Sequence, residues 1–535
     1  MLMLVPALAQ DAPRGEVVDG IFRFYDTVTI RAVARYNANY VADAQALWLY
    51  QWAKEKMNIE FIVEGIPNES ADDITNLLFA SGDLPEVFLN WGPLGNLTNM
   101  STYGDAESQL LAIQDYITPE MTPELYRISQ EVPDVIDMCR TAKGNIYTFP
   151  RILQRKEYTT GMSVEPLWYD PGVLAAVGYE TAPTTVDELL DCLRKIKAED
   201  PMGVGANLVP FGGTYDNSNV GTQMLNAFGF AATGPWELLA MRNGGYLTGD
   251  LVFMSADPAY YEYLRFMNTL YSEGLIDPDY YTMDKTQSDA KLSSGYNAMI
   301  PAWDCSMMPQ NWQEWRVMEP LTSDYSADKQ LAYAGAGGVC YYAFITDACK
   351  DVEAIMRFMD VGYNPEYSHL FYNGPEKGAE DTYGLLSGWM LNGIAYEYED
   401  VTSGRFTSQS AYVNNVGPFS PSGNKFDRRT DGSEVALYDP TTISGLQATE
   451  VIGKLCPYLV ARYPGVLFDS DTSIRVSDLS TVLEDYIEVE TAKFITGVRA
   501  VTEEEFEKFL QTLDSLGLGE FMDLHLAAFE AQYRD

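Results

Sequence analysis

Between Thr27 and Leu89 the spacing of apolar residues switches repeatedly between two periods, and no other feature of the chain constrains its fold as strongly. Residues 27–33, Thr-Val-Thr-Ile-Arg-Ala-Val, alternate as a strand does. Asp43 to Met57 has helical spacing and carries Trp48 and Trp52, and residues 58–63, Asn-Ile-Glu-Phe-Ile-Val, alternate again. A second helix is predicted from Ser70 to about Ala80, with Ser70 and Asp73 at capping-box spacing and Gly82 supplying the positive φ of its C-terminus. Leu84-Pro85-Glu86-Val87-Phe88-Leu89 then enters a third strand through proline. Strand, helix, strand, helix, strand in so short a span predicts an open α/β sheet built from βαβ units. Ligands of such sheets sit at the carboxyl ends of strands. Trp91 lies two residues past such an end, so it is expected to face a ligand.

A chain of 535 residues exceeds what one core usually serves, so two or three domains are expected. The net charge of −42, with no Lys/Arg-rich stretch, argues against nucleic acid or an anionic membrane surface as a partner. Aromatic residues make up 13% of the chain, enough for a minority to serve as stacking platforms for sugar rings. Only two histidines occur, His369 and His525, which leaves almost no material for a His-based zinc site or a Ser-His-Asp triad. The six cysteines are scattered without a C-x-x-C pair, and sequence cannot assign disulfides among them. Residues 1–19 are expected to be a signal remnant or a disordered end, with Ala7-Leu8-Ala9 resembling a signal-peptidase site. No apolar stretch is long enough to cross a bilayer.

A second α/β segment is expected from about Glu165. Its helix starts at Pro183-Thr184-Thr185-Val186-Asp187-Glu188, with Thr as cap and acids in the first turn. A Tyr-rich helix is predicted over 257–274, a buried strand over 338–346 and a helix over 351–362. Residues 396–436 read as extended loops, and 502–535 as helical with a break at Gly517 to Gly519.

Several phrases in this order resemble family 1 bacterial extracellular solute-binding proteins. Ala80-Ser-Gly-Asp-Leu-Pro85 is similar to "ASGDLPD", with Glu86 for the last Asp. Lys143-Gly-Asn-Ile-Tyr-Thr-Phe-Pro150 resembles a hinge entry, and Ala182 to Glu188 resembles "PTTWDE". Tyr271-Ser-Glu-Gly-Leu-Ile-Asp-Pro278 resembles "YKEGLIDP", and Ser294-Gly-Tyr-Asn-Ala-Met299 resembles "SGKVGM". Ala492 to Gly497 and Leu516-Gly-Leu518 resemble the tail of the large lipoprotein-type oligosaccharide branch.

The resemblance implies an α/β, two-lobed periplasmic-binding-protein-like fold with a ligand cleft between lobes. The lobes expected are 20–150 with about 318–380, and 151–317 with about 381–535. It implies an extracellular, cell-envelope-associated monomer, not an enzyme, that captures an oligosaccharide or other small solute and delivers it to an ABC transporter permease. No cofactor is expected. The alternatives left open are a secreted glycoside hydrolase and a sensor-type sugar-binding protein. Carried over by position, the stacking residues are Trp91 and Trp303. Asp304 reads as a hydroxyl acceptor or equally as a helix N-cap, and Arg151 as a ligand grip or an interlobe salt bridge. Tyr215, Asp216 and Asn217 lie in a Gly-rich loop where the family places further contacts. Trp48 and Trp52 read as core. At Asp200 to Pro210, where relatives carry a calcium loop, Met202, Val204, Asn207 and Leu208 replace the oxygen ligands, one carboxylate with one amide cannot supply six contacts, and no calcium is expected. Asp469-x-Asp471-x-Ser473 begins like such a loop but has Ile474 where glycine is needed.

Overall fold

The computed structural model describes residues 13–534 except 39–40, 96, 132–135, 138, 142, 153, 156–157, 160–165, 216–219, 247, 284, 303–307, 309–310, 327, 334–338, 365–366, 368–370, 372–373, 377, 379–388, 393–394, 399–445, 447 and 467. The chain divides into two compact units. The first comprises Met1–Ile152, Val339–Met390 and Tyr398–Asn424, and the second Leu153–Gly338, Leu391–Glu397 and Lys425–Asp535. Residues 318–338, expected with the first lobe, fall in the second, because Met318 and Leu331 pack into that unit's cores.

The first unit opens with a hairpin of β1 (Gly15–Val18) and β2 (Ile21–Phe24). Asp19 and Gly20, both at positive φ, form its two-residue turn, so residues 15–18 are a strand and not the disordered end expected there. The main sheet follows the predicted alternation: β3 (Val28–Tyr36), α1 (Trp48–Met57), β4 (Ile59–Pro67), α2 (Ala71–Ser81) and β5 (Val87–Leu89). Parallel pairing runs from Val28↔Ile59 to Tyr36↔Pro67, and β5 joins the other side of β3. Strand Val339–Ile345 pairs antiparallel with β5 and, on its far side, with β6 (Thr148–Ile152). Consequently β3, β5 and β6 all point their carboxyl ends the same way.

Local chemistry explains these boundaries. Gly82 ends α2 at φ 72°, donating its N–H to Leu78 O at 2.9 Å. The expected Ser70 cap does not form. Ser70 closes a 3₁₀ turn and is already helical at φ −106°, ψ −2°, so its hydroxyl bonds no helix N–H. Glu86, the departure from the family phrase, is buried and accepts the backbone N–H groups of Arg31 at 2.8 Å and Lys350 at 2.9 Å. One carboxylate thus ties β3 to the segment beyond Val339–Ile345. Trp48 and Trp52 are buried and stack at 6.3 Å, as read from their spacing.

In the second unit, β7 (Leu167–Tyr169) and α4 (Val186–Glu199) lead to β8 (Val209–Phe211) and α5 (Val220–Ala227). Strands β9 (Phe230–Ala231), β10 (Leu239–Arg242) and β11 (Asp250–Phe253) make an antiparallel meander. Helix α6 (Pro258–Ser272) follows, then β12 (Asn297–Pro301) and β13 (Arg316–Val317). The second sheet has the order β8-β12-β7-β13, with β8 and β12 parallel. Thr185 caps α4 by accepting Glu188 N–H at 3.2 Å, while Glu188 reaches back to Thr184 N–H at 2.8 Å. That backbone hydrogen bond from Thr184 holds the Glu188 carboxyl below its usual range. At the carboxyl end of the chain, α7 (Ser470–Thr496), α8 (Glu503–Ser515) and α9 (Leu518–Tyr533) complete the core. Gly517, at φ 102°, makes the predicted break. Tyr260 and Thr491 hydroxyls meet at 2.9 Å, fastening α6 to α7.

Candidate functional site

Parallel strands bring their following loops to one end of a sheet, and each unit has such an end. In the second unit Gly212 N–H bonds Met299 O at 2.9 Å, extending the β8–β12 ladder by one residue. A side chain at residue 212 would strike the Asn297 amide 2.7 Å away, so this close approach needs glycine. Ala302 is fixed beyond β12 by its N–H to Pro166 O and by its carbonyl, which accepts buried Trp168 Nε1, both at 3.1 Å. The two loops therefore leave side by side. Tyr215 follows on the first; its N–H bonds Tyr280 O at 2.8 Å and its half-buried ring packs on Tyr281 at 5.2 Å. Burial in this tyrosine cluster pushes the Tyr281 hydroxyl well above its ordinary pKa. Asp216, Asn217, Trp303 and Asp304 lie outside the described residues.

The first unit corrects the expectation for Trp91. Its side chain is 0% exposed and packs among Val33, Phe79, Phe88, Leu94 and Tyr147. Its Nε1 donates to Thr75 Oγ1 at 2.8 Å, and Thr75 in turn donates to Ala71 O at 2.7 Å. The indole turns back from the strand end onto α2 because a hydrogen-bond acceptor waits there inside an aromatic cluster. It presents no face to a ligand.

Arg35 and Asn90 place polar groups at this end. Arg35 Nε donates to Asn90 O at 3.0 Å, and Asn90 Nδ2 returns a bond to Arg35 O at 2.9 Å, locking the ends of β3 and β5 together. Asn90 takes the left-handed conformation, φ 54°, which asparagine tolerates better than most residues. Only 7% exposed, it leaves Oδ1 sealed and without a hydrogen bond among the described residues. The Arg35 guanidinium lies over Gly92, where an added Cβ would stand 2.8 Å from Nη1. Neither Nη bonds a described residue. Arg151 is at the same end of the sheet, its backbone paired with Cys340 in β6; its side chain lies outside the described residues. A polar strand terminus, Arg35-Tyr36-Asn37, was the available sequence signal, outweighed by the tryptophan beside Asn90.

The calcium-like segments hold their own backbones. Asp200 accepts the N–H groups of Val204 at 3.1 Å and Gly205 at 2.8 Å. Asp469 accepts Thr472 N–H at 3.1 Å as α7 begins. His525 is buried against Tyr463, whose hydroxyl meets Nδ1 at 2.9 Å, and burial lowers its pKa to about 4. His369 lies outside the described residues.

Two α/β units whose strand ends carry polar and aromatic loops are the scaffold of a binding protein. The chain belongs to the bacterial extracellular solute-binding protein family, which matches residues 37–368. It is 24% identical over 459 residues to the fructooligosaccharide ABC transporter substrate-binding protein FusA of Streptococcus pneumoniae, across 84% of this chain and 80% of that one. To lipoprotein LipO of Bacillus subtilis it is 23% identical over 444 residues, across 78% and 80%. Among solved structures, FusA in complex with kestose matches at TM-score 0.76 and 20% identity, over 94% of this chain and 99% of that one. An HMO-binding, ABC-transporter-associated solute-binding protein of Bifidobacterium longum infantis matches at TM-score 0.72 and 15% identity, over 95% and 100%. The fold is thus the periplasmic-binding-protein-like α/β fold.

Proposed function

We propose that this protein captures a neutral oligosaccharide outside the cell and hands it, unaltered, to an ABC importer. The Arg35–Asn90 pair carries the reading. Asn90 fixes the guanidinium through Nε and so sets where the rest of that group lies at the strand end. Its two Nη groups, which bond no described residue, offer N–H donors to hydroxyl oxygens. A charge of −42 works against an anionic ligand. In the second unit, Trp303, Asp304, Asp216 and Asn217 are the proposed contacts, because their loops leave the paired ends of β8 and β12. Arg151 is proposed beside Arg35 on the same grounds. The relatives whose names specify fructooligosaccharide or HMO binding support the ligand class.

Thermal shift with kestose, nystose, lacto-N-tetraose, maltotriose and an alginate trimer tests this. A ligand present at a hundred times its dissociation constant should add about 2.7 kcal/mol to stability. Stabilisation by a neutral glycan that chromatography recovers intact is the expected result. No shift with any glycan, stabilisation by the alginate trimer alone, or release of reducing ends would defeat the proposal.

A further inference from the structure

Trp236 is 55% exposed, while Trp48, Trp52, Trp91, Trp168 and Trp315 are all buried. A lone exposed apolar side chain needs no explanation in itself. What distinguishes this one is the loop that holds it. Between β9 and β10 the chain runs Ala232-Thr233-Gly234-Pro235-Trp236-Glu237. Ala232 O accepts Asn226 Nδ2 at 2.9 Å near the end of α5, and Thr233 O accepts Thr222 Oγ1 at 3.5 Å in its first turn. The segment therefore runs back along α5 and delivers residues 234–236 to that helix's N-terminal end. That end of α5 is the one that follows the carboxyl end of β8, where ligands of such sheets sit.

The loop is braced across its base. Glu237 accepts Thr233 N–H at 3.1 Å and Arg462 Nη1 at 2.7 Å, and Arg462 also donates to Thr233 Oγ1 at 3.0 Å. The indole folds onto Gly234, whose Cβ, if present, would lie 2.1 Å from ring atoms Cε2 and Cζ2. Only glycine leaves room for the ring, and Pro235 restricts the backbone between them. Trp236 Nε1 bonds no described residue. An apolar ring with an N–H at its edge that bonds no described residue, carried on a braced loop at that end of α5, suits the C–H face and hydroxyls of a sugar.

We infer that Trp236 is a stacking platform for a glycosyl ring of the captured glycan, a contact of the second unit distinct from Trp303. The inference rests on the glycan-capture reading above. Its test uses the full chain and whichever glycan of the same panel binds the wild type, by calorimetry and acrylamide quenching. Trp236→Ala should weaken binding about tenfold or more, equivalent to about 1.4 kcal/mol. Trp236→Phe should lose less, and unliganded melting temperatures should stay within a degree or so, as expected of an exposed side chain. Gly234→Ala, which keeps the indole but displaces it, should also weaken binding. In the wild type the glycan should shield part of the fluorescence from acrylamide, and Trp236→Ala should remove that shielded part. Binding by Trp236→Ala within twofold of wild type, or unchanged acrylamide access on binding, overturns the inference and leaves glycan capture standing. Failure of every glycan to bind the wild type overturns both.

Discussion

Trp91 and Trp236 occupy similar sequence contexts and have opposite fates. Each follows a strand and sits beside glycine and proline, Trp91-Gly92-Pro93 in one unit and Gly234-Pro235-Trp236 in the other. Trp91 is sealed in a core, and Trp236 is largely exposed. The difference lies in what surrounds each ring. For Trp91, helix α2 offers both an aromatic wall and the Thr75 hydroxyl, so burying the indole strands no polar atom. For Trp236, Gly234 offers a bare backbone to lie on and a braced loop prevents further folding back. A place past a strand's end makes ligand contact available to a residue without assigning it. The nearest unspent acceptor and apolar wall decide.

The largest expected effect probes the buried member. Trp91→Ala should cost about 3–5 kcal/mol through lost packing and an internal cavity. Chemical denaturation measures it directly; a loss under 1 kcal/mol would mean that the indole is not a core residue and would revive it as a ligand contact.

Next in size, the two units should answer acid in opposite directions. Asp360, on helix Val352–Val361, is buried and accepts the N–H groups of Glu124 and Leu125 at the start of α3 (Pro123–Glu131). Burial outweighs those bonds and raises its pKa from 3.8 to about 7. A folded pKa above the unfolded one gives stability that is fully present below about pH 4 and is lost as pH rises through about 7. His525 in the second unit is depressed from 6.5 to about 4 by burial, so its contribution is present above 6.5 and lost as pH falls through about 4. Each is worth at most roughly 3–4 kcal/mol. Urea titrations between pH 4 and 8 should find Asp360→Asn gaining on wild type as pH rises, and His525→Gln gaining as pH falls. Parallel pH profiles for variant and wild type would refute the assignment at either site.

A smaller effect isolates the hydrogen bond. Thr75→Val leaves the Trp91 Nε1–H buried without its acceptor and should cost about 1–3 kcal/mol. Ligand affinity should not change. A neutral result by denaturation would show that packing alone holds the ring.

The βαβ alternation was legible because strand and helix periods leave different apolar patterns, and Gly82 and Gly517 mark helix ends by a conformation that other residues resist. The Thr185–Glu188 start was readable for the same local reason. Trp91 was misread because its acceptor, Thr75, lies on another element, and sequence spacing carries no information about which face of a loop meets α2. Arg35 and Asn90 were missed because their significance is a pairing across two strands that are 55 residues apart. Neither residue type announces a site alone. The break of the first lobe at about 318 was likewise a question of which core Met318 joins.

The smallest effects bear on what replaces Trp91 at its strand end. Arg35→Ala should lower glycan affinity about tenfold while changing stability by no more than about 1 kcal/mol, since it removes one partly exposed hydrogen bond. Gly92→Ala acts on the same group without deleting it. The new methyl would stand 2.8 Å from Nη1, the far end of a flexible side chain, so the guanidinium should move and the fold remain. Affinity should fall a few-fold, about 0.6 kcal/mol or more, and the double variant should bind no worse than Arg35→Ala alone, because both changes act on one group. If the two losses add in full, Gly92 touches the ligand by a separate route and Arg35 is not the contact it displaces. If neither variant alters calorimetric binding while Trp236→Ala does, the first unit's strand end is structural throughout and glycan recognition belongs to the second unit.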